Sequence, residues 1–303
     1  MPNQSRRTFM KQSAAIAGGA AMASFTGCLG LGGGGGNYSN WMPEPDAFDL
    51  EYYSGVFVNP SQVVSAEDNL SEDFFDTLES LEDTFEATSI DFADFNSMFF
   101  FQGLSVSTTG VGNDEIKSEL EDEDYDDDDY EGYTLYESPD DAETPHVIGV
   151  GNTLIYARSM GEEDPTEVAE ILVDTISGEE PTWTGESEEV SALQQQVGTP
   201  TLGTISFHEA TENDNPEGGQ FENSIGTGIS LNINGETTDF GANIGYEDSD
   251  DVDTDDLEEW ADSRDGDGEF FHDVDDISVS QNGRVGTVSG TIDTDDLSLL
   301  YLL

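Results

Sequence analysis

The chain reads as an α+β protein: antiparallel sheets with a few helices packed on one face, arranged as two lobes of similar make. Three observations predict this. Several runs alternate apolar and polar residues with period two, and two such pairs are joined by Asn-Gly, a strong short hairpin signal. Four other segments carry apolar residues three or four apart behind a capping residue, the signature of amphipathic helices. Strands and helices do not trade places strictly, as a doubly wound parallel sheet would require.

The helices come first. Ser71 can cap one in which Phe74, Leu78, Leu81 and Phe85 form a stripe, and Asn113 a shorter one with Ile116 and Leu120. Asp164-Pro165-Thr166-Glu167 sets a cap, a first-turn proline and a reaching carboxylate in order. Val168, Ile171, Leu172 and Ile176 follow, and Gly178 ends that helix. A fourth is expected over Thr254 to Ala261, with Leu257 and Trp260 inward. Strands are expected over Tyr52–Val58, Met98–Phe101, Tyr133–Tyr136, Val147–Val150 and Leu154–Ala157. Ile205 and Phe207 mark another. Ile229, Leu231 and Ile233 lead through Asn234-Gly235 to Phe240, Ala242, Ile244 and Tyr246. Ile277–Gln281 leads through Asn282-Gly283 to Arg284–Ser289. The lobes divide as residues 41–185 and 190–303. Their make is alike, but no residue-level repeat aligns them.

The first 27 residues read as an export signal. Arg6, Arg7 and Lys11 precede a small apolar run, Ser13 to Phe25, shorter than the roughly 20 residues that span a bilayer. Ser5-Arg6-Arg7-Thr8-Phe9-Met10-Lys11 resembles the twin-arginine consensus, with Met10 where leucine is usual. Phe25-Thr26-Gly27-Cys28 resembles a lipobox, with Phe25 where a small aliphatic is preferred. Cys28 is the sole cysteine, so it closes no internal disulfide, and lipid attachment accounts for it. Residues 28–40, with glycines from Gly32 to Gly36, read as a tether.

The chain has 7 basic and 68 acidic residues. Three of the bases lie in the signal and none of the acids do, so from Cys28 onward the net charge is −64. Lys117, Arg158, Arg264 and Arg284 are the bases that remain. Such a chain repels itself unless salt screens it. It lacks the clustered bases that release counter-ions from nucleic acid, and it is repelled by anionic lipid. Against disorder stand 35% hydrophobic residues and 17 Phe, 10 Tyr and 3 Trp.

Signal, glycine tether and acidity together resemble the Tat-exported lipoproteins of halophilic archaea. The resemblance is specific over residues 1–36 and compositional beyond. It implies a protein on the outer face of the cell membrane, held by lipid at Cys28, and it assigns no activity. A non-enzymatic interaction role with an envelope protein partner is expected. The alternatives are a solute-binding lipoprotein of a transporter and a surface hydrolase.

Chemistry-bearing motifs are sparse. Nine of eleven residues from Glu121 to Glu131 are acids, and Asp126, Asp127, Asp128 and Asp129 are the candidate ligands for a hard cation. The other reading is a hydrated acidic loop that collects cations weakly. Asp262 to Gly268 looks like a calcium loop, but no register places both its ligands and its glycine. His146, His208 and His272 lack the spacing of a helical zinc site. No Gly-x-Ser-x-Gly elbow is present, and no catalytic residue or cofactor is assigned. Asn37-Tyr38-Ser39 and Asn69-Leu70-Ser71 are candidate N-glycosylation acceptors.

Overall fold

The computed structural model describes residues 38–139, 142–264, 266 and 269–298. Twelve strands form one sheet: β1 (Ser54–Val58), β2 (Phe95–Phe101), β3 (Leu104–Thr109), β4 (Asp126–Tyr130), β5 (Tyr133–Glu137), β6 (His146–Val150), β7 (Leu154–Arg158), β8 (Leu202–Phe207), β9 (Ser224–Asn234), β10 (Thr237–Tyr246), β11 (Asp275–Asn282) and β12 (Val285–Asp293). Their order is β11-β12-β10-β9-β8-β1-β2-β3-β7-β6-β5-β4. Every neighbouring pair is antiparallel. The α+β class and the antiparallel pairing agree with the sequence reading.

The order repeats itself about the β1–β8 junction. A three-stranded meander, β1-β2-β3 or β8-β9-β10, is followed by a ten-residue helix and then by a hairpin. The hairpin's second strand, β7 or β12, returns to the third strand of the meander. The two expected lobes are therefore halves of one sheet. The first half adds the β4–β5 hairpin and most of the helices.

The helices are α1 (Pro60–Ser65), α2 (Glu72–Glu79), α3 (Asn113–Asp122), α4 (Pro165–Ser177), α5 (Trp183–Glu186), α6 (Glu188–Val197) and α7 (Thr254–Ser263). They were expected on one face and lie on two. Successive strand residues point to opposite faces, and the central strands are apolar on both. Val58 and Met98 join a core beneath α1, α2, α3 and α7. Phe57, Phe99 and Phe101 join a second core beneath α4 and α6. The unbroken run Met98-Phe99-Phe100-Phe101 is what a strand covered on both sides requires. Gly55 makes room in that second core: a Cβ there would stand 2.2 Å from the Phe99 ring.

Local chemistry explains where the helices begin and end. Asp164 accepts from Thr166 and Glu167, Glu167 reaches back, Pro165 opens α4, and Gly178 closes it in the left-handed conformation at φ 82°. In α7, Leu257 and Trp260 are buried as expected. Ser71 stands at the N-cap of α2 but makes no side-chain cap bond, and after Glu79 the coil tightens to a 3-10 helix through Phe85. The cap position of α3 is Gly112, and Asn113 instead donates to the Gly151 carbonyl at 2.8 Å. Helix α6 was not foreseen, although Ser187 accepts from the Val190 amide and Val190, Leu193 and Val197 form its buried stripe.

Two further corrections concern boundaries. The tether was expected to run to residue 40 and the fold to begin at Trp41. Tyr38 is fully buried, so the body begins no later than Tyr38. The acidic run was weighed as a loop; its first two residues end α3, and its Asp126–Tyr130 part forms the outer strand β4.

Candidate functional site

Sequence singled out four aspartates for a cation. In β4 they alternate between the two faces, so they do not converge on one ion. Asp129 accepts from Thr134 at 3.1 Å, and Thr134 accepts from the Lys117 ammonium at 2.6 Å. This relay ties β4 and β5 to α3. Among the described residues, the carboxylates that do converge are Asp293, Asp295 and Asp296, with oxygens within 4.8 Å of one another. Burial and then the neighbours Asp295, Asp273 and Asp293 push the Asp296 carboxyl up. All three are exposed, so they keep their hydration and concentrate counter-ions without caging one.

The histidines stand apart from one another. His146 uses both ring nitrogens: Nδ1 donates to the Thr144 carbonyl at 2.9 Å, and Nε2 lies 2.8 Å from the Tyr125 hydroxyl. A carbonyl only accepts, so Nδ1 carries a proton, and Nε2 shares the second bond with the Tyr125 hydroxyl. The ring stacks on Tyr156 at 5.1 Å. Burial first, then Tyr156, Glu86 and Glu123, pushes the Tyr125 phenol up to about 12. His208 Nδ1 is engaged with the Glu209 carbonyl. His272 is exposed and stands 4.0 Å from Asp273. His146 thus bonds a tyrosine hydroxyl and a backbone carbonyl at once.

A depression of about 430 Å³ opens between α5 and α6, lined by Thr184, Glu188, Ser191, Gln195 and Arg284 among others, and no histidine lines it. Arg284 lies in the β11–β12 turn. It reaches Glu189 at 2.6 Å and Glu188 at 3.6 Å, and it donates to the Glu247 carbonyl. Burial pushes the Glu189 carboxyl up. Its own amide, Ser187 and Arg284 more than offset this and hold it below the ordinary value. The depression is therefore walled by a satisfied clamp.

The most elaborately held segment is the amino-terminal arm, residues 38–48. Tyr38, Trp41, Met42 and Phe48 are buried in the core under α4 and α6. Tyr38 packs on Phe57 at 4.6 Å and on Trp41 at 5.3 Å. Polar bonds fix the backbone. Thr184 donates to the Ser39 carbonyl at 2.8 Å, the Trp183 amide to Met42 at 2.8 Å, and the Tyr53 hydroxyl to Pro43 at 2.9 Å. Trp183 closes the arm by packing on Tyr53 at 4.8 Å and on Phe207 at 4.5 Å. Burial keeps the Tyr38 and Tyr53 phenols far above their ordinary range, hence neutral. Sequence reasoning missed this strap because the preceding glycines were extended into it. The aromatic residues at 38, 41 and 48 were the available signal.

Arg6, Arg7, Phe9, Cys28 and Asn37 lie outside the described residues. Asn69 is half-buried at the end of a 3-10 turn, Glu67–Asn69. Among the described residues, no helix is long and apolar enough to cross a membrane.

No family model matches the chain, and no curated protein matches it. Three crystal forms of TP0453 are similar in shape, with TM-scores of 0.43, 0.44 and 0.44 at 10%, 9% and 10% identity. The matches cover 83%, 82% and 86% of this chain and 94%, 93% and 96% of that one. A similarity this distant says nothing about ligand, partner or chemistry.

Proposed function

We propose that the chain is a lipid-anchored, acidic module of the outer cell surface with a non-enzymatic interaction role toward another envelope component. One observation carries the reading: a twin-arginine motif, a short apolar run and a lone Cys28 precede a body that starts within ten residues of that cysteine. The charge agrees with it, because a net −64 suits a protein standing in concentrated salt and excludes nucleic acid as a partner. The solute-binding alternative finds less support: β1 and β8 join both halves into one sheet rather than into two hinged lobes.

The test begins with the mass of the amino-terminal peptide from native membranes. It should start at Cys28 and carry two hydrocarbon chains through the cysteine thioether. Cys28→Ser should release the protein into the medium, and Arg6→Lys with Arg7→Lys should retain it in the cytosol. Crosslinking in molar salt should then capture an envelope component. An unmodified Cys28 would overturn the proposal, and so would robust turnover mapping to one residue cluster.

A further inference from the structure

We propose that the envelope partner docks on the open middle of the sheet, on the face that carries α1, α2, α3 and α7, and that it brings a carboxylate to Arg158 beside an apolar side chain. The proposal rests on the interaction reading and names the chemistry of the partner.

On that face α1 stands over β2, α3 over β6, and α7 over β11 and β12. β1 and β8, at the middle of the sheet, lie between these covers. Strand alternation fixes what they show there. Phe57, Ile205 and Phe207 join the core under α4 and α6, so Ser54, Val56, Thr204 and Ser206 point to the other face. Those four are half-buried, and so is Phe100 of β2, which pairs with Val56. Ser54 and Ser206 bond each other at 2.7 Å and make a neutral pair. Tyr52, two residues before Ser54, is 39% exposed, one of two large hydrophobic side chains left in solvent among the described residues. None of these six is acidic, in a chain with 68 acids among 303 residues. A neutral, partly apolar surface of this kind marks a place of contact.

Arg158 stands at the rim of this floor. Tyr156 joins the core under α1 to α3, so Arg158, two residues on, points to the same face. Its guanidinium lies across Gly103: a Cβ there would stand 2.1 Å from it. One N–H donates to the Gln102 carbonyl at 2.8 Å, and the register that pairs Gly55 with Phe101 puts Ser54 beside Gln102. A guanidinium has five N–H donors. Among the described residues, Arg264 and Arg284 form ion pairs and Arg158 forms none. A fork with donors to spare suits a carboxylate gripped at two points. Charge complementarity then selects the occupant. A basic segment would be drawn to acids over the whole surface and repelled by Arg158 here. An acidic segment is repelled by the net charge of −64 at long range, but at 1 M salt the screening length is ~3 Å, so bonds at contact range decide. An acid-free floor with a cation at its rim is where such a segment can land. Val56, Phe100 and Tyr52 receive its apolar neighbour, and tyrosine and arginine are favoured anchors of interfaces. Four strand spacings of about 4.8 Å separate β7 from β8, so the floor is about 19 Å wide, the core of an interface whose rim falls on the surrounding helices.

The experiment uses the full mature chain from Cys28 in molar KCl, with isotope-labelled arginine read by NMR. Arg158, Arg264 and Arg284 are its arginines, and Arg158→Lys assigns the Arg158 Nε–H signal by removing it. The probes are acetyl-Leu-Glu-Leu-Glu-Leu-amide and the same peptide with glutamine in place of glutamate. The glutamate peptide should shift the Arg158 signal saturably, bind several-fold more tightly than the glutamine peptide, and leave Arg264 and Arg284 in place. Tyr52→Glu, at an exposed position, should weaken that binding several-fold at an unchanged Tm. Equal binding of the two peptides would make the floor merely apolar and overturn the proposal. Comparable shifts at Arg264 or Arg284 would reduce it to bare pairing of guanidinium with carboxylate and overturn it as well. So would the absence of a saturable shift, or a Tyr52→Glu variant that binds like the parent. Those failures leave the interaction reading standing if crosslinking on membranes captures an envelope component at another surface. An unmodified Cys28 overturns the anchor and leaves the floor in place.

Discussion

At the scale of single residues, the scarce cations are placed where strands and helices meet. Arg158 donates to the Gln102 carbonyl at 2.8 Å and so holds the β2–β3 turn, while Arg264 pairs with Glu269 at 2.9 Å and donates to the Glu217 carbonyl at 3.2 Å. Arg284 joins the β11–β12 turn to α6 and to the residue after β10. Arg284→Gln should cost about 1–2 kcal/mol, because charge-assisted bonds are lost and acids are left facing one another. In fixed molar salt that is a fall in Tm of roughly 2–8 °C. The pH dependence gives a second check. A carboxyl whose folded pKa is lowered, as for Glu189, stabilises above its unfolded value and loses that contribution as pH falls through the folded pKa. The variant should therefore lose less stability than the parent as pH falls below about 4.5. Asp164→Ala removes one cap and should cost about 0.5–2 kcal/mol. Unfolding curves that overlay the parent's would refute either assignment.

At the scale of elements, the two outer strands are defended by charge. A free strand edge is a template for pairing with another chain, and charged residues blunt it. β4 carries Asp126, Asp127, Asp128 and Asp129, all exposed, and β11 begins with exposed Asp275 and Asp276. Asp126→Thr with Asp128→Thr should leave the monomer folded and make it self-associate, visible as a larger mass in light scattering in molar salt. An unchanged monomer would mean that charge elsewhere suffices. This strand also shows where the sequence was opaque. Four consecutive aspartates have poor strand propensity, and only the pairing of β4 with β5 through the Glu131–Gly132 turn, both at positive φ, makes them a strand. Helix α4 was legible because its capping box, its stripe and Gly178 agree. The arm was not, because nothing local to Tyr38 states that Phe57 and Phe99 wait for it. Among candidate sites, the acids and histidines were visible as residues. Their divergence and prior commitments depend on register and long-range pairing, which one chain's pattern does not encode.

At the scale of the whole molecule, net charge decides the conditions under which these contacts suffice. With −64 from Cys28 onward, the folded body carries more repulsion than its expanded chain. At 0.1 M salt the screening length is ~10 Å, comparable to the spacing of surface carboxylates; at 1 M it is ~3 Å, shorter than most of those spacings. Tm should therefore climb steeply between these salt concentrations. Local evidence gives the sign for pH. Burial, followed by neighbouring acids, raises the carboxyls of Glu170, Asp256 and Asp296. A carboxyl with a raised folded pKa binds more protons when folded, so stability increases as pH falls toward that pKa. Glu189 acts in the opposite sense, from its ordinary value of 4.5 down through its lowered one. At low ionic strength the melting temperature should therefore rise as pH drops from 7 to about 5 and turn down below the carboxylate range. In molar salt, screening weakens the repulsion behind the rise and should flatten it, while the partly buried Arg284–Glu189 contact, less exposed to screening, keeps the acid-side fall. Melting curves across pH at two salt concentrations separate these contributions. A low-salt Tm that falls monotonically from pH 7 to 5 would show that bulk repulsion is not what limits this fold.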